Sequence, residues 1–249
     1  EMPSVDVTLL FIALTVSCVQ GYQGQMPSRL FPRTASTGLR SCSMSEQTQT
    51  KKKIVITGVG AVSSVGMGSH FFQALVDGKS GITKMPSWAD QYPCRVGSLV
   101  TEAVGWFGPE DYMDAKDARR QGRYAHFAMA ASKMAIKDAK LDVTKVDKEH
   151  FGVLIGSGIG AVEHYEDGCQ RYFEAGGRPE NMGKVPPSMI PALVANTATA
   201  SVAREVGAKG PNYGVVSACA TGSHAIGDAL YLLQSGKADV MLAGGSESA

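Results

Sequence analysis

The sequence predicts an α/β protein with mostly parallel strands. Apolar runs of strand length alternate with segments of helical periodicity, and glycines are concentrated where the predicted strands end. Near the carboxyl end, a strand over 213–217, a helix over 220–234 and a strand over 239–243 follow one another. Such a unit implies parallel strands joined by a right-handed crossover. Because α/β sheets bind ligands at the carboxyl ends of their strands, we expect the functional residues there.

Composition limits the classes of function. Hydrophobic residues make up 44% of the 249 residues and charged residues 19%, which is enough apolar material for a sizeable core. The net charge of +1 gives no electrostatic basis for binding nucleic acid or a charged membrane surface. The five cysteines include no CxxC pair and no zinc-like spacing with histidine, so we predict neither a disulfide framework nor a structural metal site.

Residues 1–50 differ from the rest and are interpreted as a targeting presequence outside the fold. The apolar run over 7–19 has the length of a signal-peptide core and is too short for a comfortable transmembrane helix, so we expect no stable membrane insertion. Residues 22–45 have no acidic residue, many serines and threonines, and three arginines, which is transit-peptide composition. The two parts together indicate a plastid with extra membranes. A mitochondrial leader and a secreted protein with a disordered linker are the alternatives.

The first mature segment is a predicted strand over 54–57 that ends in Gly58-Val59-Gly60. It fails the dinucleotide-binding fingerprint because Ser63 stands where the third glycine belongs. A helix over 69–77 follows, with Phe72, Leu75 and Val76 on its apolar face and Gly78 as its stop. Residues 81–118 are predicted to form loops and short turns packed on the core.

The strongest helical pattern covers 123–141. Its stripe is dominated by small residues, so we expect another element to approach it closely, and we interpret His126 beside it as a packing residue. The stripe contains Phe127, Ala130, Ala131, Met134 and Ala135. A further helix is predicted over 191–205, beginning at a proline and ending at Gly207.

A buried strand over 151–155 leads into Gly156-Ser-Gly-Ile-Gly-Ala161, which fits the looser GxGxxA form of the nucleotide-binding fingerprint. That motif should open a helix at once and be followed by a second strand with an acidic end. The segment over 163–173 is instead polar and aromatic, and 176–191 is loop-like with four prolines. Nucleotide binding is therefore disfavoured, although it stays an alternative.

Cys219 is the candidate nucleophile. It is predicted at the junction of a strand and a helix N-terminus, where unpaired N–H groups and the helix dipole favour a thiolate. The alternative is that Cys219 is a small buried apolar residue. His224 lies five residues further along the helix, about 140° around its axis, so it should point away from the thiol. An acid or base must then come from elsewhere in the fold.

Several blocks together resemble a known family. Cys219 lies in VVSACATGSHAIGDA, with GPNY before it and ADVMLAGGSES after it. KIVITGVGAVSSVG, FGVLIGSGIG and VPPSMIPALVAN precede these blocks in the expected order. Over residues 52–249 the sequence resembles the type II β-ketoacyl-ACP synthases, condensing enzymes of fatty acid synthesis. The resemblance implies the N-terminal half of a thiolase-like αβαβα layered fold with a mostly parallel mixed sheet.

The resemblance also implies a mechanism. Cys219 would accept an acyl chain from acyl carrier protein as a thioester, with its own backbone N–H in the oxyanion hole. Malonyl-ACP would then lose carbon dioxide and attack that thioester, with no metal or organic redox cofactor. Ile159 matches the residue that gates the acyl pocket. Met189 matches a position where relatives commonly carry an aromatic contributed across a homodimer, and a flexible methionine there could leave the tunnel deeper.

The sequence departs from the family pattern at its carboxyl end. The family's two catalytic histidines, its lysine and its second oxyanion donor would lie beyond Ala249. We therefore interpret 51–249 as an N-terminal β-ketoacyl synthase domain whose C-terminal half is missing, and we expect it to expose apolar faces and to be inactive alone. A polyketide ketosynthase or a thiolase of the same fold is the nearest alternative. A non-catalytic chain-length factor is disfavoured by the presence of Cys219.

Overall fold

The computed structural model describes residues 53–248. The predicted presequence of residues 1–50 lies outside the described residues. Among the residues that are described, no helix is both long and apolar enough to cross a membrane.

The described chain is a mixture of helices, short strands and 3-10 turns. Its amino-terminal part contains β1 (Val62–Ser63), β2 (Gly66–Met67), α1 (Ser69–Val76), β3 (Ile82–Lys84), β4 (Val96–Ser98) and α2 (Ala115–Ala118). Its carboxyl-terminal part contains α3 (Arg123–Asp138), β5 (Phe151–Gly156), α4 (Val162–Glu174), α5 (Met189–Leu193), α6 (Thr197–Val206), α7 (Thr221–Gln234) and β6 (Val240–Gly245). The predictions of α1, α3, β5, α7 and β6 are confirmed to within a few residues.

The central pair of strands is parallel. β5 and β6 run in register from Phe151 opposite Val240 to Gly156 opposite Gly245. On the other side of β5, Asn212 makes a single parallel bridge to Val153. β5 therefore lies between the segment that begins at Asn212 and β6. The two outer segments are joined through α7, which crosses over β5.

The prediction of a strand over 213–217 is wrong, because only Asn212 takes part in the sheet. Beyond that bridge the backbone passes over the end of β5, where a Cβ at Gly156 would overlap the Val215 carbonyl oxygen. The N–H of Ser217 then donates to the Thr221 hydroxyl (2.8 Å) rather than to a neighbouring strand. The segment therefore forms a hydrogen bond within the turn that follows it and does not continue the pairing with β5.

The layers of the core follow the two faces of β5 and β6. Alternate residues along a strand point to opposite faces of the sheet. One face packs against α3 and α6, and its buried members include Phe151, Val153, Ile155, Leu242, Ala128, Ala198 and Val202. The other face packs against α7, with Leu154, Met241, Ala243, Ala225, Ala229 and Leu233. A helical layer on each side of parallel strands is the expected α/β architecture.

The predicted strand over 54–57 is not formed, and Ile56 makes only an isolated bridge. The following glycines instead run against α3. A Cβ at Gly58 would overlap the carbonyl oxygen of Ala135, and one at Gly60 would overlap that of Ala131. These are members of the small-residue stripe, so the predicted close approach to that stripe is confirmed. The glycines serve helix packing and do not form a nucleotide-binding turn.

The predicted helix over 191–205 is broken into α5 and α6. The carbonyl of Leu193 accepts a hydrogen bond from the Ala161 N–H (3.3 Å), and that of Val194 accepts one from the Tyr124 hydroxyl (2.7 Å). Contacts to other elements thus take the place of helix hydrogen bonds at the break. Gly207 ends α6 at φ 70°, as predicted.

The region over 81–118, predicted as loops and turns, also contains a hairpin. β3 and β4 pair in an antiparallel register, with Thr83 opposite Gly97. Trp106 is buried against Phe127 of α3, whereas Trp88 is exposed. The packing of this region on the core is therefore confirmed for one tryptophan and not for the other.

Apolar side chains are exposed on two helices. The predicted apolar face of α1 is not buried, since Phe72 is 70% exposed and Leu75 and Val76 are also exposed, while Ala74 is buried. On α7, Leu230 is exposed, although the preceding residue Ala229 is buried. Apolar patches of this kind on a folded domain are normally covered by other protein.

Two glycine substitutions should have opposite effects on the stability of the full chain. Gly60→Ala inserts a methyl group into the Ala131 carbonyl and should lower the free energy of unfolding by about 1–3 kcal/mol. Gly227→Ala, at an exposed position of α7 with no heavy atom within 4 Å of the new Cβ, should raise it by about 0.5–1 kcal/mol. Urea unfolding measures both, and equal effects would contradict the packing of Gly60 on α3.

Candidate active site

Cys219 is exposed on a sharp turn at the start of α7. It lies in a 3-10 turn over Ala218–Ala220, directly before the first residue of the helix. Ala218 has φ 53°, in the left-handed region that a residue with a Cβ rarely adopts. Strained backbone of this kind persists only where the surrounding structure holds it, and it is often found at functional sites. The alternative of a buried packing cysteine is wrong.

The side chain of Thr221 holds the turn. Its buried hydroxyl accepts the N–H of Ser217 (2.8 Å) and donates to the carbonyl of Ala218 (2.8 Å). These two hydrogen bonds connect Thr221 to the left-handed residue, Ala218, and to the residue before it, Ser217. The turn that presents Cys219 is thus fixed by one hydroxyl group from the helix it precedes.

His224 is not a partner of the thiol. Its Nδ1 lies 2.7 Å from the hydroxyl oxygen of Ser217. In the described part of the chain, the Sγ atom of Cys219 has no hydrogen-bond partner, and its backbone N–H has no acceptor. The prediction that α7 contains no Cys–His dyad agrees with these contacts. The role of this N–H in an oxyanion hole stays a prediction.

Glycines bring the start of α7 against the ends of the strands. A Cβ at Gly245 would lie 2.9 Å from the Cα of Gly222, and one at Gly156 would overlap the methyl group of Thr221. The first turn of α7 therefore contacts the carboxyl ends of both β5 and β6. Cys219 lies at the edge of the sheet where the sequence predicted the functional residues.

Ile159 lies in the loop between β5 and α4, and this loop borders the Cys219 turn. A Cβ at Gly158 would lie 3.6 Å from the Cα of Ala218. The Ile159 side chain is 51% exposed. The loop of Ile159 thus contacts the residue before Cys219, and the side chain of Ile159 is open to solvent.

Met189 is located differently. It begins α5, and its sulfur atom packs on Gly168 of α4, where a Cβ would overlap it. The structure thus connects Ile159 with the turn of Cys219, and Met189 with the middle of α4. Their roles in binding an acyl chain stay predictions.

The sequence patterns did not identify Glu247 as a residue of the site. Its Oε2 accepts hydrogen bonds from the N–H groups of Gly158 (2.7 Å) and Ile159 (3.3 Å), and its Oε1 accepts one from the Ser157 hydroxyl (3.2 Å). The available signal was its position, an acidic residue two places after the buried strand β6. No property of the sequence reports that a loop almost ninety positions earlier needs its carboxylate.

The Glu247 contacts also bear on the nucleotide-binding alternative. Contrary to expectation, a helix does follow the GxGxxA segment, since α4 begins at Val162. The loop N–H groups that a phosphate would need are those of Gly158 and Ile159, and they donate to the carboxylate of Glu247. A negative group of the protein itself already occupies the anion position, so phosphate binding there is strongly disfavoured.

His126 of α3 has a structural role. Burial lowers the pKa of His126 below its ordinary value, and its Nε2 lies 2.9 Å from the carbonyl oxygen of Ala118. This agrees with its interpretation as a packing residue. Across residues 53–248, no three His, Cys, Asp or Glu side chains are grouped so that they could hold a metal ion.

A family model for the N-terminal domain of β-ketoacyl synthases matches residues 51–249. The chain belongs to the β-ketoacyl synthase family. It is 40% identical over 201 residues to 3-oxoacyl-(acyl-carrier-protein) synthase 2 of Synechocystis, a match that covers 80% of this chain and 46% of that protein. The enzyme of the same name from Staphylococcus aureus is 39% identical over 198 residues, covering 79% of this chain and 46% of the relative. The chain therefore spans about half the length of these curated relatives.

Solved structures give the same fold. A β-ketoacyl synthase from Burkholderia phymatum is similar with a TM-score of 0.61 and 28% identity, over 74% of this chain and 44% of that one. The ishigamide ketosynthase/chain length factor is similar with a TM-score of 0.68 and 25% identity, over 77% and 46% respectively. The predicted fold class is confirmed, and the chain has the N-terminal half of the thiolase-like layered fold.

Substitution of Thr221 tests whether its hydroxyl holds the Cys219 turn. Thr221→Val keeps the volume but leaves the Ser217 N–H and the Ala218 carbonyl without their partner, which should cost about 1–3 kcal/mol of unfolding free energy. Thr221→Ser retains the hydroxyl and should keep most of that stability. Denaturant unfolding of the full chain measures both, and an equally stable valine variant would contradict the assigned role.

Proposed function

We propose that the protein is a 3-oxoacyl-ACP synthase that extends fatty acyl chains by decarboxylative condensation. The observation that carries this proposal is the exposed Cys219, held on a strained turn at the start of α7 and at the carboxyl edge of the sheet. Nucleophilic cysteines require access and a positive local field, and a helix N-terminus provides both. The names of the relatives support the same activity.

In the first step, the thiolate of Cys219 attacks the carbonyl carbon of an acyl-ACP thioester. The acyl–sulfur bond to the carrier breaks, the carrier thiol leaves with a proton, and an acyl-Cys219 thioester forms. The backbone N–H of Cys219, which has no acceptor in the described residues, would donate to the oxygen that becomes negative in this step.

In the second step, malonyl-ACP loses carbon dioxide. The carbanion that results attacks the acyl-Cys219 carbonyl, and the thiolate leaves. The product is a 3-oxoacyl-ACP two carbons longer than the acyl group, so Cys219 is regenerated and no external oxidant or reductant is consumed. Family resemblance assigns the histidines and lysine that assist this step to the C-terminal half of the enzyme.

Ile159 and Met189 are proposed to line the path of the acyl chain. Support for Ile159 comes from its exposed side chain, in the loop that borders the turn of Cys219. Met189 lies against α4, the helix that this loop opens. A methionine at that position adapts its shape easily, which favours a tunnel that accepts longer chains.

A polyketide ketosynthase is the second candidate. The likeness to a ketosynthase/chain length factor, with a TM-score of 0.68, favours it. The identity of 40% to a 3-oxoacyl-(acyl-carrier-protein) synthase 2 favours the fatty acid enzyme. The products of the full-length enzyme distinguish the two, since a polyketide synthase extends a chain repeatedly without reduction of its keto groups.

Cys219→Ala in the full-length protein should abolish condensation. Loss of the nucleophile removes the acyl-enzyme, so the rate of 3-oxoacyl-ACP formation should fall at least about a thousandfold. Cys94→Ala is the matched control, because Cys94 is also exposed but donates its thiol to the carbonyl of Val96. Mass spectrometry of the carrier protein measures the product, and an active alanine variant at position 219 would refute the assignment.

Acyl carrier protein bearing acyl and malonyl groups is the proposed partner, and the enzyme is proposed to be a homodimer. The segment that begins at Asn212 supports the dimer, because beyond its single bridge to β5 it leaves Tyr213 and Val216 exposed. A two-fold mate of the same segment could cover this edge. The family resemblance assigns the dimer contact to the same place.

Val216→Lys should weaken such a dimer in the full-length protein. A charge at the centre of an apolar contact is costly to bury, so the dimer dissociation constant should rise by tenfold or more, roughly 1.4 kcal/mol. Val96→Lys is the control, since Val96 on β4 is 59% exposed and Val216 is 60% exposed. Analytical ultracentrifugation gives the constants, and equal values for both variants would exclude this edge as the interface.

Residues 1–50 are proposed to direct the protein to a plastid by way of the secretory route. The composition of this segment supports the proposal, with an apolar run followed by an arginine-containing stretch free of acidic residues. Residues 1–50 fused to a fluorescent protein should accumulate in plastids of a host whose plastids have extra membranes. Deletion of 7–19 should leave the fusion outside them, and mitochondrial fluorescence would support the alternative.

A further inference from the structure

The carboxylate of Glu247 occupies the centre of the loop between β5 and α4. It accepts three hydrogen bonds from consecutive residues, namely the Ser157 hydroxyl and the N–H groups of Gly158 and Ile159. The Ser157 oxygen in turn accepts the N–H of Gly160 (2.9 Å). Four successive residues of the loop are thus connected, directly or through one hydroxyl, to a single side chain from the end of β6.

These contacts hold the loop in one conformation. Consecutive N–H groups that point to one side form a concave site for an anion, and hydrogen bonds to a charged acceptor are about twice as strong as neutral ones. Other contacts hold mainly the ends of the loop, because the Ser246 N–H donates to the Gly156 carbonyl (2.9 Å) and the Ala161 N–H to the Leu193 carbonyl (3.3 Å). Between these ends, the N–H groups of Gly158 and Ile159 donate to Glu247. Without the carboxylate, the loop amides would have to turn towards water and the loop would lose its fixed shape.

The loop over Ser157–Gly160 also borders the turn that carries Cys219. Gly158 lies next to Ala218, the strained residue before Cys219, and the residue after Gly158, Ile159, has a half-exposed apolar side chain. An acyl chain attached to the sulfur of Cys219 must leave the turn past neighbouring apolar groups. Under the proposed function, the position of Ile159 therefore affects an acyl chain that extends along this loop.

We propose that Glu247 is a positioning residue, which fixes the Ser157–Gly160 loop so that Ile159 contacts the acyl chain carried by Cys219. The contact between Ile159 and an acyl chain rests on the proposed function. The ordering of the loop by Glu247 does not. Glu247 thus has an effect on the chain-length preference of the enzyme rather than a role in bond making. The reactivity of the free Cys219 thiol, before any acyl chain is present, should be independent of Glu247.

Hydrogen exchange tests the ordering of the loop without reference to activity. In full-length Glu247→Ala, peptides covering residues 156–161 should exchange about tenfold faster than in the wild type, because local opening becomes easier by about 1.4 kcal/mol. Glu247→Gln keeps an acceptor oxygen but loses the charge, so its exchange rate should lie between those of the wild type and Glu247→Ala. Glu163→Gln is the matched control, since Glu163 is an exposed carboxylate in the first turn of α4.

Acylation rates test the effect on the site. With purified full-length variants, the rate of Cys219 acylation by tetradecanoyl-ACP should fall about tenfold in Glu247→Ala, whereas that by butanoyl-ACP should change less than about twofold. Alkylation of Cys219 by iodoacetamide should be unchanged, which shows that the turn is intact. A residue that merely stabilised the fold would slow both acyl donors equally.

Each outcome decides a separate part of the inference. Unchanged exchange over 156–161 in Glu247→Ala would overturn the ordering of the loop. Equal effects on the two acyl donors would overturn the role in chain-length preference. If the wild-type protein accepted no acyl group, the proposed function would fail together with that preference, while hydrogen exchange would still decide whether Glu247 orders the loop.

Discussion

The parallel pairing of β5 with β6 is the constraint on which the site depends. Because Gly156 is opposite Gly245, both strands end at the same level, and the absence of side chains lets α7 begin directly against them. Three chain segments then meet at one edge of the sheet, namely the loop after β5, the turn before α7 and the residues after β6. A side chain at either glycine would separate α7 from the strands, and the turn of Cys219 would move with it.

Two polar side chains fix the backbone conformations of the segments that meet at this edge. Thr221 binds both Ser217 and Ala218 through its hydroxyl, and Glu247 connects the end of β6 to the loop that contains Ile159. Neither contact adds much to the burial of apolar area, which comes from the layers of α3, α6 and α7 around the strands. Their effect is local, because each fixes a short segment whose backbone would otherwise have several accessible conformations. The thiol is exposed while its surroundings are fixed, as a nucleophile requires.

Patterns of residues predicted the long elements well and the contacts between elements poorly. The apolar periodicity of α3 and α7 and the continuous apolar runs of β5 and β6 correctly identified these elements, since burial on one or both faces leaves a direct trace in sequence. The strand over 213–217 was wrong because a side chain four residues on, that of Thr221, accepts the Ser217 N–H. The unbroken helix over 191–205 was wrong because partners distant in sequence bind the carbonyl groups at its break. Glu247 could not be found for a similar reason. The position of Cys219 at a helix start was predictable, whereas the strain at Ala218 and the role of Thr221 were not.

Peptide mapping identifies the residue that carries the acyl chain. Full-length protein incubated with acyl-ACP alone, digested with trypsin under mildly acidic conditions, should carry one acyl group on the peptide over 210–237, whose only cysteine is Cys219. The group should be released by hydroxylamine, as expected of a thioester. An acyl group found on any other peptide, or none on this one after turnover has been demonstrated, would contradict the account.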